Sequence, residues 1–226
     1  MERRHSIVKI ATWNVERLKH RANIKQILRA CHHIQADILV LTETDRQLRP
    51  DFAYGFHTPC LTGNHPVAYR PMENRVSIFT HYPLVRQYDT YDKNTALCVE
   101  LETPLGNLLV YGTIIGIFGN RHPSFQKDLQ HQVEDFKRLS QKHSLCVCGD
   151  FNCSFSDNYY FTRAGRATLM QSFSENQLAL LTAGQPECID HIALSKTFVS
   201  KHPVEIEEWN IGRTLSDHKG IAVTLL

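Results

Sequence analysis

Residues 145–152 read Leu-Cys-Val-Cys-Gly-Asp-Phe-Asn, a short apolar run that stops at a glycine and then sets down a carboxylate and a carboxamide. Leu145 to Cys148 are small or apolar, as a strand covered on both faces requires, and Gly149 lets the backbone approach a neighbour closely. Strand alternation points Asp150 and Asn152 to the same side. An Asp that can take a proton, beside an Asn amide that can donate a hydrogen bond, suits activation of a hydroxyl or water next to an anion. An Asx turn closing a strand uses the same residue types, so the reading turns on whether other strand ends carry matching groups.

They do. Residues 7–13 are β-rich and run into Asn14-Val15-Glu16, while residues 37–42 form a second apolar run followed directly by Glu43. Between them Ile24, Ile27, Leu28, Cys31 and Ile34 recur at helical spacing. This strand–helix–strand order brings Asn14 and Glu43 to one edge if the two strands are neighbours. Residues 75–80 read as a strand, and 96–101 with 107–115 as a hairpin turning through Thr103-Pro104-Leu105-Gly106. Ser124 is placed to cap a helix whose apolar stripe is Phe125, Leu129, Val133, Phe136 and Leu139. A helix over 166–177 precedes a strand at 188–194 carrying Asp190, and Asp217-His218 stand before the last strand. Residues 50–71 read as loops around a short strand near 66–70. The loop 155–166, with Tyr159, Tyr160, Phe161, Arg163 and Arg166, has the aromatic and basic groups that stack bases or hold phosphates, although a packed surface loop has the same look.

Composition bounds the rest. At 226 residues, 42% hydrophobic and 21% charged, the sequence fits one globular domain over 1–226 and excludes a disordered chain. The net charge of +2 advertises no polyanion-binding surface, and residues 17–21 are the densest basic cluster. Seven cysteines without a C-x-x-C pair point to reduced thiols rather than a disulfide framework or a zinc knuckle. No apolar run reaches the ~18 residues of a membrane span, and the N-terminal run is too short for a signal segment, so a cytoplasmic protein is expected.

Asn14 with Glu16, Glu43, Asp150 with Asn152, Asp190, and Asp217 with His218 thus stand at successive strand ends. Carboxylates and an amide oxygen are hard donors, suited to Mg²⁺ or Mn²⁺. A divalent ion beside a general base and a His–Asp pair is equipment for phosphoester hydrolysis. The order Trp13-Asn14-Val15-Glu16, Leu41-Thr42-Glu43, Gly149-Asp150-Phe151-Asn152, Ile189-Asp190-His191 and Ser216-Asp217-His218 resembles the endonuclease/exonuclease/phosphatase superfamily, the deoxyribonuclease-I-like fold, over nearly the whole chain. The resemblance implies an α+β, four-layer α/β/β/α sandwich of two packed mixed sheets flanked by helices, with the site at one end.

The resemblance makes Glu43 the principal metal ligand, with Asn14 and Asp217 helping and Glu16 a contact to a second ion. Asp150 would orient or deprotonate the attacking water. Asn152 would fix Asp150 or the phosphate, and His218, held by Asp190, would stabilise the phosphate's developing charge. Many members carry a His or Tyr where this chain has Ile114 and Ile115, so that phosphate contact is sought in Thr113, Tyr111, or Arg121 with His122; Arg75, Tyr159 and Arg163 are further substrate-binding candidates. The segments 42–45 and 185–188 differ from those of the family's apurinic-site enzymes, and no lipid-facing insertion is visible. A Mg²⁺- or Mn²⁺-dependent nuclease acting on DNA or RNA is therefore expected, without an obligate protein partner. A small-molecule or lipid phosphatase is the alternative, and a non-catalytic scaffold a further one.

Overall fold

The computed structural model describes residues 8–62 and 68–226. In chain order it contains β1 (Val8–Asn14), α1 (Ile24–His33), β2 (Ile38–Asp45), β3 (Tyr54–His57), β4 (Glu73–Thr80), β5 (Leu84–Tyr88), β6 (Ala96–Thr103), β7 (Gly106–Ile114), α2 (Phe125–Ser140), β8 (Leu145–Asp150), α3 (Arg163–Glu175), β9 (Leu178–Leu180), β10 (Asp190–Ser195), α4 (Lys196–Val199), β11 (Val204–Trp209) and β12 (Gly220–Leu225). They form two six-stranded sheets, ordered β11-β12-β1-β2-β4-β3 and β5-β6-β7-β8-β10-β9. Each sheet holds one parallel pair, β1 with β2 and β7 with β8, each joined by a helical crossover, among antiparallel neighbours.

Alternation along the central strands explains the layers. Ile10, Ile38, Val40, Val76 and Ile78 of one sheet meet Val99, Leu108, Val110, Cys146, Cys148 and Ile192 of the other in a dry inter-sheet core. The opposite faces are covered by helices: Ala11, Trp13, Leu39 and Leu41 pack on Ile27 and Cys31 of α1 and on Ile34, which caps its C-terminus. Leu109, Tyr111, Leu145 and Val147 pack on Phe125, Leu129 and Phe136 of α2 and on Leu169 and Phe173 of α3. The result is the α/β/β/α sandwich, and strands buried on both faces read as continuous apolar runs for this reason. All seven cysteines are free.

Gly149 carries φ +139°, and a Cβ built there would lie 2.0 Å from the carbonyl oxygen of Thr113, its partner on β7. Backbone cannot yield as a side-chain tip does, so Gly149→Ala adds strain at a positive φ to a steric collision. A loss of about 3 kcal/mol or more is expected, roughly a 10 °C drop in Tm for a chain of this size; thermal unfolding within 2 °C of the parent would contradict it.

Several sequence expectations need correction. The strand expected near 66–70 is absent from residues 68–70, its remainder lies outside the described residues, and the strand of this region is β3. The α3 helix begins at Arg163, because Thr162 Oγ1 accepts the Gly165 N–H at 3.1 Å. Ser124 is itself helical in backbone and makes no side-chain cap; instead it bonds to His122 Nδ1 at 2.9 Å. The basic cluster 17–21 runs through two short 3₁₀ turns, with Arg17 paired to Glu73.

Candidate active site

The ladders bring the polar strand ends together. In the parallel β1–β2 pair Asn14 faces Thr42, leaving Glu43 one residue further along the same edge. Glu43 interrupts its strand with φ +45°, so its side chain leaves the regular alternation. In the other sheet Asp190 of β10 faces Asp150 of β8 directly. The sheets are then stitched across: the Asn14 N–H donates to Asp190 Oδ1 at 3.0 Å, and Asn14 Nδ2 donates to Asp150 Oδ2 at 3.0 Å. Ser216 Oγ donates to the Asn14 carbonyl at 2.6 Å and accepts the His218 N–H at 3.2 Å, which anchors the segment before β12.

His218 Nδ1–H donates to Asp190 Oδ2 at 2.5 Å, fixing the ring so that Nε2 is the free edge. Burial alone would lower its pKa, but the charge and hydrogen bond of Asp190, with Asp150 and Asp217 behind them, raise it to about 10. It is an imidazolium at neutral pH. Asp150 is 2% exposed, and its Oδ1 accepts the Asn152 N–H at 2.8 Å. Burial pushes its carboxyl up to about 7; His218 pulls the other way, and Asp190 and Glu43 add to the rise. A carboxylate that binds a proton near neutrality suits a general base. Asp150 therefore both closes an Asx turn and faces the polar cluster.

Glu43 is half-buried and has no ion pair among the described residues. Burial raises its pKa, offset in part by His218 and by a hydrogen bond from Asn14, while Asp217 raises it further. Asp217 is 61% exposed at its side chain, 3.7 Å from His218 Nε2, and its N–H donates to Glu16 Oε2 at 3.2 Å. Glu16 also pairs with Lys19.

Among the described residues no three His, Cys, Asp or Glu side chains converge closely enough to enclose a metal unaided. Asn14 Oδ1 already accepts the Glu16 N–H at 2.8 Å, so Asn14 acts first as a bridge between the carboxylates. The donor set still fits a hard cation. Mg²⁺ is commonly held by one or two carboxylates plus substrate phosphate and waters, and Glu43 is a carboxylate raised in pKa by burial, with no ion pair among the described residues.

The remaining expectations divide. Asn152, Tyr159, Asp190, Asp217 and His218 line one cleft of about 310 Å³, together with Tyr160, Arg213 and Lys219. Arg75 lines a recess beside Glu43. Asn152 holds Asp150 through its backbone, whereas its side-chain amide donates to the carbonyls of Ile115 and Gly116, away from any phosphate role. Thr113 is fully buried and donates to Gln132 Oε1 at 2.6 Å, and Tyr111 is equally buried, so neither reaches substrate. Arg121 and His122 are exposed and line neither cavity; the His122 ring packs on Phe118. Arg163 is an exposed first-turn residue of α3, and Arg166 lies over Phe161 as a structural contact. Asn120 was not anticipated: 4% exposed, it donates from Nδ2 to the Asn152 carbonyl at 2.7 Å. An Asn between Gly119 and Arg121 looks like any turn residue, so no sequence signal marked it.

His191, next to Asp190, is a core histidine. Its Nε2 faces the carbonyls of Cys153 and Cys188 and so carries the proton, while Nδ1 accepts from Thr182 Oγ1, each at 3.0 Å. Burial lowers its pKa to about 4. An unfolded histidine titrates near 6.5, so the unfolded chain binds the extra proton between these values. The stability held by neutral His191 is complete above about pH 6.5 and is lost as pH falls towards 4, by up to about 3 kcal/mol. Denaturant titrations should show His191→Gln with a shallower acid slope than the parent; equal slopes would refute this.

The model of the Endonuclease/Exonuclease/phosphatase family matches residues 11–218. No curated protein matches the chain. Among solved structures, the 3′ phosphatase NExo from Neisseria, bound to a product DNA hairpin, superposes with TM-score 0.72 at 17% identity, covering 97% of this chain and 99% of that one. An endonuclease/exonuclease/phosphatase from Beutenbergia cavernae DSM 12333 gives 0.70 at 15%, covering 96% and 71%. An AP endonuclease from Archaeoglobus fulgidus gives 0.69 at 13%, covering 96% and 99%. Among the described residues no helix is long and apolar enough to cross a membrane.

Proposed function

We propose that this chain, which belongs to the endonuclease/exonuclease/phosphatase family, is a divalent-metal-dependent phosphodiester hydrolase, a nuclease that cleaves DNA or RNA by attack of water on the scissile phosphate, with residues 1–226 acting as one catalytic domain. The family and the structural neighbours are hydrolytic nucleases and phosphatases. The observation that carries the reading is the cross-sheet chain His218–Asp190–Asn14–Asp150, in which a fixed imidazolium and a carboxylate of raised pKa are held in one hydrogen-bonded frame.

The parts divide the work. Asp150 takes the proton of the attacking water, held in place by the Asn152 N–H and the Asn14 amide. His218 donates from Nε2 to a non-bridging phosphate oxygen and meets the charge that grows there, while Asp190 keeps it protonated and oriented. Glu43 would hold the cation, with Asp217 beside it and Glu16 on the outer side. A bound Mg²⁺ or Mn²⁺ supplies Lewis-acid charge at the phosphate. The cleft rim bears Tyr159 and Arg213, with the Arg213 guanidinium 5.3 Å from the ring centroid, groups suited to a nucleic acid more than to a lipid.

The test is a panel of single-stranded DNA, duplex DNA, RNA and bis-p-nitrophenyl phosphate, each with EDTA, Mg²⁺ or Mn²⁺. Metal-dependent cleavage of a nucleic acid is the expected result. Cleavage of only the small phosphodiester would move the substrate to small molecules or lipids. No cleavage, with no gain in Tm from either metal, would sink the enzyme reading in favour of a scaffold.

A further inference from the structure

Glu43 borders a smaller recess of about 140 Å³, lined also by Thr44, Leu61, Tyr69, Asn74, Arg75 and Phe118. The catalytic groups account for neither its shape nor its chemistry. Two guanidiniums hold Tyr69: Arg17 lies 4.8 Å and Arg75 5.5 Å from its ring centroid, and Arg75 Nη2 donates to its hydroxyl at 2.8 Å. Arg17 is itself clamped by both oxygens of Glu73, at 2.9 and 3.2 Å. Arg75 has no carboxylate partner among the described residues, so its charge remains available at the recess. Phe118 is 50% exposed, an apolar ring whose centroid lies 4.9 Å from that of His122.

Thr44 Oγ1 and Asn74 Oδ1 are buried and have no hydrogen-bond partner. The Asn74 amide cannot simply turn to relieve this, because its Nδ2 is committed to the Val76 carbonyl at 2.8 Å and Ser77 Oγ at 3.0 Å. Buried oxygens of this kind normally find a donor. An aromatic ring, an exposed apolar ring, a guanidinium without a carboxylate partner and two lining residues with unpaired oxygens together describe a slot for a flat ring whose edge carries N–H groups.

We infer that this recess receives the base of the nucleotide adjacent to the scissile phosphate. The inference rests on the hydrolase reading above. Because Glu43 belongs to both the recess and the polar cluster, a phosphate at the cluster leaves its neighbouring base within reach of the slot. Stacking there tolerates any base, while Arg75 faces the intervening backbone. The opposite cleft, at Tyr159 and Arg213, carries the chain on the other side of the cut.

The experiment uses an oligonucleotide that the protein cleaves, with tetrahydrofuran replacing the base on each side of the cut in turn, and the Phe118→Ala variant. Loss of the base on one side only should raise KM about ten-fold or more, the usual worth of a base–aromatic stack. Phe118→Ala should raise KM similarly on the intact substrate and add nothing on the abasic one, with kcat kept in both. Equal KM for all three substrates would overturn the inference, as would a Phe118→Ala effect of the same size on intact and abasic substrates. If the parent cleaves no oligonucleotide, the hydrolase reading fails separately. In that case quenching of a 2-aminopurine-containing oligonucleotide by the protein, abolished in Phe118→Ala, upholds the slot, and absence of quenching removes it.

Discussion

Asp150→Asn is expected to lower single-turnover cleavage by about 10²–10⁴-fold at neutral pH, the range over which general-base catalysis contributes. The substitution keeps the volume of a side chain that is 2% exposed and flanked by two donors, the Asn152 N–H and Asn14 Nδ2. An amide at 150 offers one acceptor where the carboxylate offers two, so one donor is left without a partner, at a cost of about 1–3 kcal/mol. That cost is set against relief of a buried carboxylate, whose raised pKa records its desolvation. The variant should therefore fold, and Glu43 should still take a cation, seen as a Mn²⁺-dependent gain in Tm. A rate within ten-fold of the parent would remove Asp150 from the base role.

The second large effect belongs to the His218–Asp190 pair. His218→Ala should cost about 10²–10³-fold in kcat, the loss typical of one donor aimed at a developing oxyanion. Asp190→Asn should act differently. With its partner neutral, His218 loses the main influence that holds its pKa near 10 against burial. The alkaline limb of kcat/KM should move down towards neutrality, and the His218 ring proton signals should titrate correspondingly earlier by NMR. Combining both changes should cost little more than His218→Ala alone, since the two residues act as one unit. An unchanged alkaline limb in Asp190→Asn, or strictly additive losses, would contradict the pairing.

How much of this was legible in the sequence depends on where each residue sits. Buried strands announce themselves because every side chain of Leu145–Asp150 is covered, and a parallel neighbour then places its polar end at a fixed edge. Asn14, Glu43, Asp150, Asp190 and His218 were readable for that reason. The edge strands were not: β5 is exposed along most of its length, and β9 spans three residues. In β11, Val204 and Ile206 alternate with glutamates, a pattern faint enough to pass for a loop.

Loops concealed more. Arg163 resembled a loop cation until the Thr162 cap moved it into a helix, and that Thr was itself a readable signal. His122 looked like a phosphate contact by type, but residue type says nothing about which way a loop turns. Asn120 and the Tyr69–Phe118 recess depend on contacts between segments far apart in the chain, which periodicity does not encode.

In the proposed mechanism the cross-sheet chain of Asn14, Asp150, Asp190 and His218 is the machinery of a metal-dependent nuclease. The most direct measurement is single-turnover cleavage of a labelled oligonucleotide by the parent and by Asp150→Asn, each with Mn²⁺ and with EDTA. Cleavage by the parent with Mn²⁺ alone, lost in the variant although the variant still gains thermal stability from Mn²⁺, is the predicted result. Cleavage that survives EDTA, or that persists undiminished in Asp150→Asn, would contradict the account.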